Sequence, residues 1–290
     1  MEAYSDFASV YDIFMDETPY DVWGDFVAGL IEKYGVSKPY AEGEKPGANG
    51  DGIEAEDAGA EDAAGENTEE ALNEERNLIV ELGCGTGSFT EILAKKGYDI
   101  IGTDISSDML NIARNKAMEQ GLNIMYLEQD MRELDLYCTA GTIVSVCDSV
   151  NYVLEDEELI ETFKLVNNFL FPKGVFIFDF NTLHKYRDVI GDATIAENRE
   201  DCSFIWENYY HEEEHVNEYD LTIFVKLSKD EEIFRKFTET HYQRGYTLEE
   251  MKGFVAAAGL EFVTAIDADN HKEPDEESER IYIVAREQGK

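Results

Sequence analysis

The spacing of apolar positions sorts the chain into distinct textures. Near the start, Phe7, Val10, Tyr11 and Phe14 fall at i, i+3, i+4 and i+7. Trp23, Phe26, Val27, Leu30, Ile31 and Tyr34 repeat that spacing, and Gly35 follows. Such stripes predict two amphipathic helices within residues 1–40, the second stopped by the glycine. From residue 78, compact apolar runs alternate with helix-period segments. LIVEL, YDIIGTD, NIMYLEQD, TIVSVCD and GVFIFDF predict five strands. Phe89, Ile92 and Leu93 mark a helix after the first, and SSDMLNIARNKAMEQG and EDEELIETFKLVNNFL predict two more. Apolar strands alternating with helices imply an α/β fold, a mostly parallel sheet with helices on both faces.

After residue 200 the texture changes. SFIWENYY, EYDLTIFVKLS and EIFRKFTETHYQRGY read as successive antiparallel strands. Thr247 and Glu250 then form the capping box of a helix carrying Met251, Phe254, Val255 and Ala258, with Gly259 as its stop. EFVTAID and RIYIVARE supply two closing strands. The expected organisation is helices over 1–40 that cover the site and an α/β core over 77–200. A small antiparallel sheet is inserted over 201–245, and a helix and strands over 246–290 complete the core. Residues 41–76 stand apart. They are mostly Gly, Ala, Glu and Asp, with almost no large apolar side chain. Such a segment cannot bury enough surface to offset chain entropy, and it is expected to be a disordered acidic insertion.

Composition narrows the function. The chain has 290 residues, 43% of them hydrophobic, which suffices for a sizeable core. Its formal net charge is −40, from 24 basic and 64 acidic residues. A surface of that sign repels phosphate backbones and anionic lipid, and no Lys/Arg cluster offsets it locally. No run approaches the ~20 apolar residues that span a bilayer. The start lacks the basic-then-apolar order of a secretory signal. Cys84, Cys138, Cys147 and Cys202 form no C-x-x-C pair, which suits reduced thiols in a cytoplasmic protein.

The chemistry concentrates in IVELGCGTGSFTE, residues 79–91. A glycine-rich turn between strand and helix usually holds a nucleotide. Gly83, Gly85 and Gly87 give G-x-G-x-G, however, and Ser88 stands where the dinucleotide fingerprint has its third glycine. Glu81 beside the turn would repel a diphosphate and attract a cation. S-adenosylmethionine carries an α-ammonium and a sulfonium and no phosphate.

ELGCGTGSF resembles the first motif of the class I S-adenosylmethionine-dependent methyltransferases, and the resemblance covers nearly the whole chain outside about 41–76. It implies a Rossmann-like sheet and a donor site that includes Glu81, Gly83, Cys84, Gly85 and Gly87. Asp104, ending IIGTD, stands where the family holds the ribose hydroxyls, and Ile105 and Met109 follow it. Asp130 in YLEQDM stands where the family holds the adenine amino group, with Met131 beside it. CDSVNYV, opening with Cys147 and Asp148, matches the segment that lines the methyl donor, and Tyr11 is expected to join from the N-terminal helices. YSDFASVYDIFMD and HYQRGYTLEEM are similar to a bacterial subgroup of uncertain substrate. A small-molecule acceptor methylated on N or O is expected.

Rival readings are a nicotinamide oxidoreductase, a non-catalytic donor-binding protein, and a nucleic-acid or protein methylase. Asp148-Ser149-Val150-Asn151 replaces the Asn/Asp-Pro-Pro-Tyr motif of amino-directed nucleic-acid enzymes. HEEEH at 211–215 matches the zinc-protease pattern, but strand-like runs flank it, so a hairpin tip is expected and no metal. His184 is either a general base or a surface histidine, and no residue declares itself catalytic. Tyr11 and Tyr152 wall the pocket or pack in the core. Alternation puts Phe204, Trp206 and Tyr210 on one face and Tyr209 on the other, to line a pocket or to pack on the main domain.

Overall fold

The computed structural model describes residues 8–16, 18–40, 63–228 and 231–290. Each apolar run of the middle third becomes a strand of one sheet. β1 (Ile79–Leu82), β2 (Ile100–Asp104), β3 (Met125–Glu128), β4 (Ala140–Ser145) and β5 (Leu170–Asn181) run parallel. The closing strands β10 (Leu260–Asp267) and β11 (Arg280–Glu287) are antiparallel, with β11 on β5 and β10 on β11. The order β10-β11-β5-β4-β1-β2-β3 reverses direction between β1 and β4. Open α/β sheets bind ligands at the carboxyl ends of the strands flanking such a switch point.

Both faces of this sheet are covered, so β1 and β4 are buried along their whole length. On one face, α2 (Tyr20–Tyr34) and α4 (Ser88–Lys95) press Val27, Ile31, Phe89 and Leu93 onto Ile79, Val144 and Ile177. On the other, α6 (Asp156–Phe169) and α7 (Leu248–Ala257) press Phe163, Val166, Met251 and Val255 onto Val80, Ile143, Phe176 and Phe178. α5 (Ser107–Glu119) packs Leu110, Ala113 and Ala117 around Cys84 and Tyr126. The capping box forms as the sequence predicts, with Thr247 Oγ1 accepting from the Glu250 N–H at 3.2 Å and Glu250 Oε2 from the Thr247 N–H at 2.8 Å.

β6 (Thr194–Asn198), β7 (Cys202–His211), β8 (Val216–Ser228) and β9 (Glu231–Arg244) form a second, antiparallel sheet in sequence order. It begins at 194 rather than 201. TIAEN is an edge strand whose side chains are mostly exposed, so its pairing rests on the backbone and leaves no apolar alternation to read. α1 (Ala8–Phe14) bridges the two sheets. Val10 and Phe14 pack on Tyr219, Leu221, Ile223, Phe204 and Trp206. On its other side, Asp12 accepts from Thr86 Oγ1 at 2.5 Å and from Lys116 Nζ at 2.7 Å. Arg199, just after β6, pairs with Asp16 at 2.9 Å.

The expected disorder over 41–76 needs correction. Residues 41–62 lie outside the described residues, but Ala63–Asn77 is a helix, α3. Its C-terminal end is fastened. Arg76 O accepts from Ser37 Oγ at 3.1 Å, Asn77 Oδ1 from the Lys38 N–H at 3.3 Å, and Glu75 Oε2 from Thr139 Oγ1 at 2.5 Å. A segment with almost no large apolar side chain thus becomes helical because Ala, Glu, Leu and Arg favour a helix and polar contacts secure its end. All four cysteines carry free thiols. No helix among the described residues is long and apolar enough to cross a membrane.

Candidate active site

β1 delivers the chain to a turn that only glycine completes. Gly83 has φ +70°, and a Cβ there would lie 2.6 Å from Ser149 Oγ. Gly85 has φ +53°, and a Cβ there would meet nothing within 4 Å, so its backbone borders open space. That space is a cavity of ≈ 590 Å³ at the switch point, walled by both sheets and by α1 and α2. Gly83, Cys84, Gly85, Glu81, Asp104, Ile105 and Met109 line it, as do Asp130, Met131, Cys147, Asp148 and Tyr11. Gly87 does not; it starts α4 from outside the wall.

Three carboxylates face the end over β1, β2 and β3. Glu81 is buried, accepts from Thr90 Oγ1 at 2.5 Å, and has its carboxyl pushed up to about 8 by burial. Asp104 accepts from the Gly85 N–H and the Ser106 N–H, each at 2.8 Å. Burial raises its carboxyl from the ordinary value, and those N–H groups oppose the rise. Asp130 is held below the ordinary value by Arg132, whose Nη2 lies 2.6 Å from it.

The end over β4 and β5 is built around Asp179, an acid as fully buried as Glu81. Cys147 and Asp148 leave β4 with φ of +59° and +53°, conformations that non-glycine residues adopt only when something holds them. Asp179 on β5 holds them. It accepts from the Asp148 N–H at 2.8 Å and the Cys147 N–H at 3.2 Å. Burial pushes its carboxyl up to about 6, while Arg280 on the neighbouring strand, 3.6 Å away, pulls the other way. Arg280 also donates to Asp148 Oδ1 at 2.6 Å and lies over the Trp23 ring. Gln243 Nε2 donates to Asp148 Oδ2 at 2.7 Å.

Beyond these residues the cavity becomes aromatic. Phe14, Tyr20, Trp23, Tyr152, Tyr186, Phe204, Trp206 and Tyr219 line it. The Tyr152 and Tyr219 hydroxyls share a hydrogen bond of 2.7 Å. The alternation in β7 thus places Phe204 and Trp206 inward and leaves Tyr209 exposed.

Other sequence candidates fall elsewhere. His184 does not line the cavity; its Nδ1 lies 2.9 Å from Asp188. The next residue, Lys185, lines it instead. HEEEH forms the tip of the β7–β8 hairpin. His211 Nε2 sits 2.8 Å from Glu218, and His215 Nδ1 lies 3.3 Å from the Tyr210 hydroxyl, so the two histidines share no helical face. Lys185, Gln243 and Arg280 escaped the sequence reading because they lie far from the glycine turn along the chain. One signal was available: Asp179 interrupts the apolar run GVFIFDF, and a buried acid demands hydrogen bonds or a cation.

Comparison with known proteins agrees with this geometry. A methyltransferase domain model matches residues 79–174. The methyltransferase-family protein YqeM of Bacillus subtilis (strain 168) is 32% identical over 98% of this chain and 96% of its own. The methyltransferase-family protein GWCH70_2453 of Geobacillus sp. (strain WCH70) is also 32% identical, over 98% of this chain and 99% of its own. The crystal structure of an S-adenosylmethionine-dependent methyltransferase from Clostridium acetobutylicum ATCC 824 superposes with a TM-score of 0.75 at 25% identity, covering 99% of this chain and 100% of that one. The strand order, the glycine turn at its switch point and full-length relatives lead to one conclusion: this chain belongs to the class I S-adenosylmethionine-dependent methyltransferases.

Proposed function

We propose that the protein methylates a small-molecule acceptor, on nitrogen or oxygen, inside the cavity between the two sheets. One observation carries this reading: the carboxylate-lined end over β1–β3 and the aromatic end under β7 and β8 are one continuous space. The residues present fit the donor. Gly85 leaves room against its backbone, and three carboxylates stand at the ends of β1, β2 and β3. Asp104 holds the ribose hydroxyls, with its carboxylate preset by two backbone N–H groups. Asp130 and Met131 take the adenine, and Ile105, 60% exposed on the wall, covers its face. Glu81 faces the α-ammonium.

The bound donor supplies a methyl group already activated by its sulfonium. The chain's own work is to orient, to exclude water and to leave a path for in-line attack. Tyr11 and Tyr20 wall the cavity where tyrosine faces favour a sulfonium. α1 and the aromatic side chains keep water from the acceptor. A neutral amine needs no strong base, whereas a hydroxyl acceptor would need one. The charge of −40 opposes RNA and DNA.

Labelled donor mixed with cell extract tests the proposal. Label is expected in the small-metabolite fraction and not in purified tRNA or rRNA. Enzyme-dependent label in RNA would overturn the small-molecule assignment. Asp104→Ala is expected to weaken donor binding at least tenfold in calorimetry, because it removes charge-assisted hydrogen bonds worth about 1.5–3 kcal/mol each.

A further inference from the structure

Five side chains on the cavity wall close a hydrogen-bonded ring. Arg280 Nε donates to Asn181 Oδ1 at 3.3 Å, and Asn181 Nδ2 donates to the Tyr186 hydroxyl at 2.9 Å. That hydroxyl donates to Gln243 Oε1 at 3.0 Å, and Gln243 Nε2 donates to Asp148 Oδ2 at 2.7 Å. Arg280 Nη2 closes the ring on Asp148 Oδ1 at 2.6 Å. A guanidinium can only donate, so every bond runs from Arg280 toward Asp148, where both paths end. The ring takes one residue each from the turn after β4, from β5, from the π-helical turn Lys185–Ile190, from β9 and from β11. Asn151 Nδ2 donates to the Asn181 and Arg244 carbonyls at 2.9 and 2.7 Å, which fastens β5 to β9 beside it.

All five residues line the cavity, but they are unequally open to it. Asn181, Tyr186 and Gln243 are buried, whereas the Asp148 side chain keeps 22% of its surface. Each Asp148 oxygen receives one N–H, and a carboxylate has about four acceptor positions, so about two remain for a ligand. The charge at this wall has a sign. Asp148, Asp179 and Glu279 act on Lys185, as does Arg280, and three carboxylates against two cations leave one negative charge. Trp23, Phe204 and Trp206 line the same cavity, and aromatic faces favour cations. A hydroxyl acceptor needs a strong base, and among the described residues no histidine lines the cavity to supply one.

Resting on the methyl-transfer reading, we infer that the acceptor is an amine whose N–H donates to Asp148, and that Asp179 and Gln243 are positioning residues that act through Asp148. The ammonium gives up one proton to water, and the freed lone pair attacks. The C–N bond forms as the C–S bond of the sulfonium breaks, and its electron pair passes to sulfur. The methylated nitrogen becomes the cation, facing a carboxylate already held in place.

The test uses the full chain saturated with S-adenosylhomocysteine and titrated with benzylamine or benzyl alcohol in a calorimeter. Benzylamine is expected to bind at least tenfold more tightly. Asp148→Asn is expected to remove that preference while S-adenosylhomocysteine affinity stays within about threefold of the wild type. Gln243→Leu and Asp179→Asn are expected to weaken the preference, since each leaves Asp148 less firmly held. Adding Cys147→Gly to Asp179→Asn is expected to restore part of it, because glycine adopts the left-handed backbone without a clamp. Should Asp179→Asn not fold, Gln243→Leu carries the test. With labelled donor and the metabolite fraction, mass spectrometry is expected to find the label as an N-methyl group. Equal affinity for the alcohol, an O-methyl product, or ring variants that keep the full preference overturn the inference. So does an Asp148→Asn variant that loses S-adenosylhomocysteine, which would assign Asp148 to the donor. Failure of the wild type to bind S-adenosylhomocysteine at all would instead overturn the methyl-transfer reading.

Discussion

Glu81 is the last residue but one of a strand buried on both faces, and burial lifts its carboxyl to about 8. Below that pH the free protein carries it largely protonated. A cationic ligand favours the ionised form, so binding near neutrality must expel a proton, and affinity rises as the pH climbs toward 8. Once the pH is high enough for the ligand's own α-ammonium to lose its proton, that loss opposes the trend. S-adenosylhomocysteine affinity should therefore increase from pH 6 to about 8 and then level or fall. Glu81→Gln should flatten the rise, and calorimetry in buffers of different ionisation enthalpy should show proton release only in the wild type. A flat wild-type profile would remove Glu81 from this role. Glu81 and Asp104 were legible in the sequence because each sits next to a local signature, a glycine turn or a strand end. Lys185 and Arg280 were not: the first stands one place from the histidine that drew attention, and the second gains meaning only when β11 is laid beside β5.

Elements proved legible in proportion to their burial. Five core strands and the helices between them announce themselves because both faces of the sheet must be apolar. β6 and α3 do not, since one is an exposed edge and the other is secured by polar contacts at its end. That difference can be tested by graft. Replacing 41–62 with a short Gly/Ser linker should leave melting temperature and donor affinity unchanged. Extending the replacement through 76 should lower the melting temperature, because the Ser37 and Thr139 partners go with it. α7 offers a cleaner measure. Thr247→Ala removes one arm of its capping box and should cost about 1 kcal/mol, seen as a melting temperature lower by about 2–4 °C. Donor affinity should not move, since no residue of α7 lines the cavity.

At the scale of the whole molecule, two sheets share one cavity and α1 touches both. Seven residues are too few to hold a helix in water unaided, so the position of α1 is set by what it grips. It grips the glycine turn and α5 through Asp12, and the inserted sheet through Val10, Phe14 and the Arg199–Asp16 pair. A ligand that settles Phe14 from one end therefore also settles Asp12 against Thr86 at the other. The affinities of the two ends are then thermodynamically linked, and the linkage must be reciprocal. Acceptor should tighten S-adenosylhomocysteine by the same factor by which S-adenosylhomocysteine tightens acceptor. Arg199→Ala, which frees one grip at a residue that does not itself line the cavity, should bring that factor close to one while each ligand alone still binds. Such a protein would disfavour half-filled states through a shared cooperativity constant, written into a helix of two turns.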